Sequence, residues 1–229
     1  MSPPLVAVAH GSRDPAAAAS TKALLAEVRR QRPGLEVVAS YLDHAEPRLA
    51  DVLARRDGAV VVPLLLAAAY HAGVDIPAAI EEAGGGAVQA DVLGPDPLLL
   101  DALGRRLGEA GVRPGDPSTA VVLAAAGSTD EAAVAGIRGL ARDWSAKSGR
   151  IVEAAFASAA EPTVEDAVAG LRARGAERVA VATYLLFPGL FADKVAAAGA
   201  DVASGVLGDA PEVARLVLTR YDARRGAAP

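Results

Sequence analysis

Short, nearly unbroken apolar runs alternate along the chain with longer Ala-rich stretches in which apolar residues recur every three to four positions. The runs Leu5 to Ala9, Leu35 to Leu42, Ala59 to Leu66 and Ala87 to Val92 have strand length, and those from Leu5 and Ala59 are unbroken, the signature of strands buried on both faces. Between them the helical period predicts three helices. The first starts near Asp14 with Pro15 in its first turn, the second near Glu46-Pro47, and the third spans about Val74 to Ala83 before Gly84-Gly85-Gly86; Pro early and Gly late are the expected helix punctuation. Strand and helix in strict alternation predict an α/β fold with a mostly parallel sheet flanked by helices. In such sheets ligands bind beyond the carboxyl ends of the strands, so the residues just after each run carry the functional interest.

The pattern breaks over Gly111 to Ser118, rich in Gly and Pro, and then restarts. Val6-Ala7-Val8-Ala9-His10-Gly11-Ser12 is echoed by Val122-Leu123-Ala124-Ala125-Ala126-Gly127-Ser128, and Tyr41-Leu42-Asp43-His44-Ala45-Glu46-Pro47 by Phe156-Ala157-Ser158-Ala159-Ala160-Glu161-Pro162. A looser third echo relates Val60 to Leu66 and Tyr70 to Asp75 to Val179 to Leu186 and Phe187 to Asp193. A duplication accounts for all three. It predicts two tandem similar α/β domains, residues 1–112 and 119–229, joined by a linker over 113–118. The three histidines of the chain all lie in the first copy; the second has Ala126, Ala159 and a Phe-Pro-Gly turn at the matching places.

Composition narrows the chemistry. Among 229 residues, with 22% charged and a net charge of −5, there is no cluster of Lys and Arg interleaved with aromatics, so neither nucleic acid nor a membrane surface is an expected partner. The absence of cysteine removes disulfides, thiolate metal sites and thiol catalysis. Met-Ser-Pro-Pro leads straight into the first apolar run with no basic flank, so no signal peptide or membrane span is expected and a cytoplasmic location follows. No Walker sequence or G-x-G-x-x-G occurs, and Gly84-Gly85-Gly86 precedes a strand instead of following one.

Histidine and carboxylate remain. His10 follows the first strand and opens the Gly11-Ser12-Arg13-Asp14-Pro15 turn. Gly11 relaxes that turn and Asp14 caps the helix, leaving Ser12 and Arg13 to face a ligand. His71 follows the third strand, which pairing would bring to the same edge as His10. Two imidazoles and one carboxylate suit a borderline divalent metal and leave coordination positions open. The carboxylate would come from the second strand, where Asp43 and His44 stand next to each other; alternation across a strand lets one of the two face the ligand, and Asp43 is favoured. Glu46 is a further candidate, but its place beside Pro47 at a helix start, echoed by Glu161-Pro162, suits a structural role. Ser12 lacks the G-x-S-x-G setting of a hydrolase nucleophile.

The combination Val-Ala-Val-Ala-His10-Gly-Ser-Arg-Asp-Pro, Tyr-Leu-Asp43-His-Ala-Glu-Pro and Val-Pro-Leu-Leu-Leu-Ala-Ala-Ala-Tyr-His71-Ala-Gly-Val-Asp-Ile-Pro resembles the sirohydrochlorin chelatases of the CbiX and SirB type over essentially the whole chain. The resemblance implies a class II chelatase: an ATP-independent enzyme inserting Co²⁺ or Fe²⁺ into sirohydrochlorin, for cobalamin or siroheme, in a cleft between two similar domains. It maps the metal ligands onto His10, Asp43 and His71, with Glu the more usual residue at position 43. It implies no tightly bound cofactor, the metal being a substrate. Chemically, insertion needs a loosely held ion and a base for two pyrrole protons; His10 is expected to serve as ligand and base with His71 as its partner. Ser12 and Arg13 are the expected anchors for the macrocycle's carboxylates. A chain carrying both halves need not dimerise. The alternative from another class is a non-catalytic carrier of metal or tetrapyrrole on the same scaffold.

Overall fold

The computed structural model describes residues 2–67 and 71–226, and of His71 and Ala72 only the backbone. The chain runs through two βαβ series. The first comprises β1 (Leu5–Ala9), α1 (Pro15–Gln31), β2 (Val37–Tyr41), α2 (Leu49–Leu53), β3 (Val60–Pro63), a π-helical turn His71–Asp75, α3 (Ile76–Glu82) and β4 (Val88–Gln89). Then follow α4 (Pro97–Glu109), β5 (Thr119–Ala125), α5 (Glu131–Ser148), β6 (Val152–Phe156), α6 (Val164–Ala173), β7 (Arg178–Tyr184), α7 (Leu190–Ala196), β8 (Val202–Ala203) and α8 (Pro211–Arg224). Each series forms its own four-stranded, fully parallel sheet, ordered β2-β1-β3-β4 and β6-β5-β7-β8.

The central strands are buried on both faces, as their unbroken apolar sequence requires: every residue of β1 and β5 is buried. Helices cover the sheets through stripes of helical period. In α1 the buried positions are Ala17, Thr21, Leu24, Leu25 and Val28, one face of a 3.6-residue helix; Leu24 and Leu25 are essentially fully buried, each stabilising the fold by roughly 2 kcal/mol. Helix α1 begins where the sequence places it, with the Asp14 carboxylate accepting the Ala16 N–H at 2.8 Å and Pro15 in the first turn. Its counterpart α5 begins in the same way at Asp130 and Ala132, also at 2.8 Å. The edge strands are shorter than their apolar runs: of Ala87 to Val92 only Val88 and Gln89 pair with β3.

The sequence repeat and the compact units do not coincide. One unit contains residues 1–96 and 208–229, the other 97–207. The terminal helix of each repeat has crossed over: α4, at the end of the first, packs on β7, whereas α8, at the end of the second, packs on α1 and β3. The physical reason is that an amphipathic helix encodes an apolar face but not which of two similar sheets it covers. Residues 113–118, the expected linker, lie inside the second unit, where the Asp116 carboxylate accepts from Ser118 and Thr119 and the Arg150 guanidinium donates to the Arg113 carbonyl. Among the described residues no helix is long and apolar enough to cross a membrane.

Candidate functional site

In the first sheet the connections run from β1 outward to β2 on one side and then to β3 on the other. The loops leaving β1 and β3 therefore diverge, and the crevice at such a reversal, beyond the carboxyl ends, is where parallel sheets bind ligands. His10 is the first residue after β1 and is exposed there. His71 opens the π-helical turn after β3; its imidazole lies outside the described residues.

The turn after β1 is held against the turn after β2. The Leu42 and Asp43 N–H groups donate to the carbonyls of Ala9 and His10 at 3.0 and 2.8 Å, continuing the ladder past both strand ends. Gly11 makes this approach possible. Its φ is +98°, and a β-carbon there would stand 1.7 Å from the Asp43 carbonyl oxygen, so any other residue would force the two turns apart. Ser12 shapes the same turn, its hydroxyl oxygen accepting the Asp14 N–H at 3.0 Å; Ser128 and Asp130 repeat this at 3.0 Å in the second unit. The repetition marks that contact as scaffold. Arg13 is exposed.

Strand β2 ends at Tyr41, two residues before the expected acidic ligand, so strand alternation no longer governs Asp43 and His44. His44 adopts a left-handed backbone, φ 59°. Its ring stands edge-to-face against His10, with centroids 6.0 Å apart and planes at 86°. Asp43 is turned to its own neighbours. One carboxylate oxygen accepts the His44 N–H at 2.8 Å and an Arg48 N–H at 3.2 Å, while the other lies 3.4 Å from His44 Nε2. The His44 N–H foremost, then the Arg48 guanidinium, holds this carboxyl below the usual range. Arg48 also donates to the Leu42 carbonyl at 2.6 Å. The Glu46 carboxylate accepts the Arg48 N–H at 3.1 Å, as Glu161 does for Thr163 at 3.1 Å, which is the structural role that its place before Pro47 suggested.

The structure thus brings His10 and His44 together, with Asp43 and Arg48 beside them, and sets Glu46 apart as a helix-start residue. Among the described residues no three His, Asp or Glu side chains converge as a ready metal cage. The closeness of His44 to His10 was hidden by the strand assumption. Its signal in the sequence was the pairing of His44 with Ala159, the same kind of exchange as His10 with Ala126.

The CbiX family model matches residues 4–110 and again 120–224. The chain belongs to the CbiX family. Its two matched segments are the two copies of the repeat, so the duplicated unit is the family's own unit. A sirohydrochlorin cobaltochelatase of Priestia megaterium is 27% identical over 197 residues, 80% of this chain and 64% of that protein. A sirohydrochlorin ferrochelatase of the same organism is 30% identical over 141 residues, 59% of this chain and 53% of the relative. The chain thus spans less than two thirds of these relatives' lengths. SirB from Bacillus subtilis, solved with Fe³⁺, shares the fold at a TM-score of 0.79 and 23% identity, over 99% of this chain and 96% of that one. This CbiX-family chain is therefore α/β in both units and carries its exposed histidines on the first.

Proposed function

We propose that this protein inserts a divalent metal, Co²⁺ or Fe²⁺, into sirohydrochlorin without ATP. The observation that carries this reading is the placement of His10 at the carboxyl end of β1, at the reversal point of a CbiX-family sheet, with His71 opening the turn after β3. The cobaltochelatase and ferrochelatase names of its relatives agree with both metals as substrates.

Insertion exchanges M²⁺ for two pyrrole protons, so charge balances and no electrons are transferred. The protein must hold the ion loosely, present it to the ring nitrogens and accept protons. Imidazole can do each of these: it ligates borderline divalent ions, and its ordinary pKa near 6.5 leaves it largely neutral at pH 7. His10 and His71 are assigned to ligation, with His10 the base. Asp43, the carboxylate of the proposed ligand set, is exposed two residues past the end of β2. Arg13, exposed in the turn after His10, is suited to a carboxylate of the macrocycle rim, and the Ser12 hydroxyl can still donate while its oxygen accepts from Asp14.

The test is anaerobic incubation of the protein with sirohydrochlorin and either Co²⁺ or Fe²⁺, followed by absorbance. Acceleration over the spontaneous reaction is expected, lost in His10→Ala and His71→Ala. Binding of metal or macrocycle with no acceleration would assign the protein as a carrier instead. The metal giving the larger acceleration decides between the cobalamin and siroheme branches.

A further inference from the structure

The second sheet has the same reversal as the first, from β5 outward to β6 and then to β7 on the other side, so it has an equivalent crevice at its carboxyl edge. No histidine stands there, but a cation does. The Lys194 ammonium on α7 donates to the Ala157 carbonyl at 2.6 Å. Helix α7 follows β7 and Ala157 follows β6, with β5 between those strands. The side chain therefore reaches across the line of β5, whose next residue, Ala126, stands in place of His10; Ala126, Ala157, Ala192 and Val195 pack in one cluster beneath it.

This charge is not inherited scaffold. In the first unit the corresponding carbonyl, that of Leu42, receives Arg48 at 2.6 Å, and Arg48 is paired with Asp43. Arg48 corresponds to Thr163, Asp43 to Ser158 and Lys194 to Ile76, so each copy sends a cation to the same carbonyl from a different element, and the acid exists only in the first. A second cation stands beside Lys194. The Arg138 guanidinium lies 5.8 Å from the centroid of the Phe156 ring, at the end of β6, and donates to the Glu161 carbonyl at 2.8 Å. Both cations thus end on neutral carbonyls, and among the described residues neither is paired with a carboxylate, in a chain whose net charge is −5. An ammonium has three donors and a guanidinium five, so both keep N–H groups for an anion.

Apolar surface adjoins them. Leu190 and Phe191 are 80% and 42% exposed, and they stand four and three residues before Lys194, on its face of α7. Single exposed apolar residues are ordinary; a neighbouring pair beside two cations, at the edge where parallel sheets take ligands, fits an apolar body that carries carboxylates.

We infer that the carboxyl edge of the second sheet is a carboxylate-binding site, in which Lys194 and Arg138 hold carboxylates of a ligand whose apolar body rests on Leu190 and Phe191, and that this ligand is the macrocycle. The identity of the ligand rests on the chelatase reading; the site adds two anchors to Arg13.

The experiment measures binding of metal-free sirohydrochlorin to the full-length protein by anaerobic equilibrium dialysis, beside the Co²⁺ affinity of the same samples without macrocycle. Lys194→Met should weaken macrocycle binding about ten-fold, the worth of one charge-assisted contact, and flatten its salt dependence, while Lys194→Arg keeps most of it. Leu190→Asp should weaken it as much, and folds readily because the side chain it replaces is exposed. Unchanged macrocycle affinity in Lys194→Met or Leu190→Asp overturns the inference, as does a parallel fall of Co²⁺ affinity in Lys194→Met, which would make the lysine structural. Conversion of a dimer to a monomer by Leu190→Asp, with macrocycle affinity kept, overturns it by making the patch a contact between copies. No sirohydrochlorin binding by the unsubstituted protein also overturns it. The expected losses of binding without any acceleration of metal insertion by the unsubstituted protein would remove the chelatase reading and leave the site; acceleration with macrocycle affinity indifferent to both substitutions would do the reverse.

Discussion

A β-carbon on Gly127 would lie 1.8 Å from the Ser158 carbonyl oxygen, at a φ of +95°, so both steric overlap and backbone strain oppose any side chain there. Gly127→Ala should therefore destabilise the second unit by about 3 kcal/mol or more, read as a lowered denaturation midpoint; a change below about 1 kcal/mol would refute the close approach. The opposite case is Ala159, at φ 57°. Glycine relieves the left-handed strain but enlarges the unfolded ensemble, and the two nearly offset, so Ala159→Gly should stabilise by no more than about 1 kcal/mol with insertion unchanged. The same turn explains how far the site was legible. His10 was readable because it directly follows an unbroken apolar strand. The choice between Asp43 and His44 was less legible, because the strand ends at Tyr41 and residue 44 has a left-handed backbone. That conformation belongs to neither Gly nor Asn here, so composition gave no warning of it.

Helix starts in this fold are set by short-range chemistry, and they were legible for that reason. Asp14-Pro15 and Asp130-Glu131 each follow a Ser whose hydroxyl oxygen accepts the Asp N–H, and each Asp caps its helix. Asp130→Ala should cost about 1 kcal/mol, measurable in urea. Asp14→Ala should cost a similar amount and also weaken Co²⁺ binding, since it loosens the turn that fixes His10; equal metal affinity in both variants would separate cap from site. Element ends were less legible where pairing decides them, as at β4, where an edge strand with one neighbour pairs through only two residues. Contacts between helices add a pH dependence. The Asp222 carboxyl on α8 is held below the usual range, chiefly by the Arg32 guanidinium just after α1, with their closest atoms 2.7 Å apart. A lowered native pKa means the contribution is complete above the unfolded carboxylate range and disappears as pH falls through the lowered value. Acid should accordingly destabilise the first unit less in Arg32→Ala than in the unsubstituted protein, seen as a smaller shift of its melting temperature between pH 6 and pH 3.

At the scale of the whole molecule, the crossing of α4 and α8 ties the histidine-bearing sheet to the far end of the chain. Helix α8 buries Val213, Ala214, Leu216, Val217, Leu218 and Tyr221, and its polar residues reach carbonyls across the first unit. Arg220 donates to Val92 and Leu93 and pairs with Asp96, while the Tyr221 hydroxyl donates to the Pro3 carbonyl at 2.7 Å. Residues 1–112 hold a complete repeat with His10, Asp43 and His71, yet they lack the helix that covers α1 and β3. Alone, that fragment exposes an apolar face, while its own α4 has no β7 to pack on. Two copies can relieve both defects by exchanging α4, because α4 on β7 is the counterpart of α8 on β3. The fragment 1–112 is therefore expected to be a dimer or an aggregate by light scattering and never a cooperatively folded monomer. Residues 1–96 joined directly to 208–229 should instead fold as a monomer and bind Co²⁺. A stable monomer of 1–112 would show that the repeat, and not the crossed unit, is the element that folds, and the proposed metal site would then need nothing from the second half of the chain.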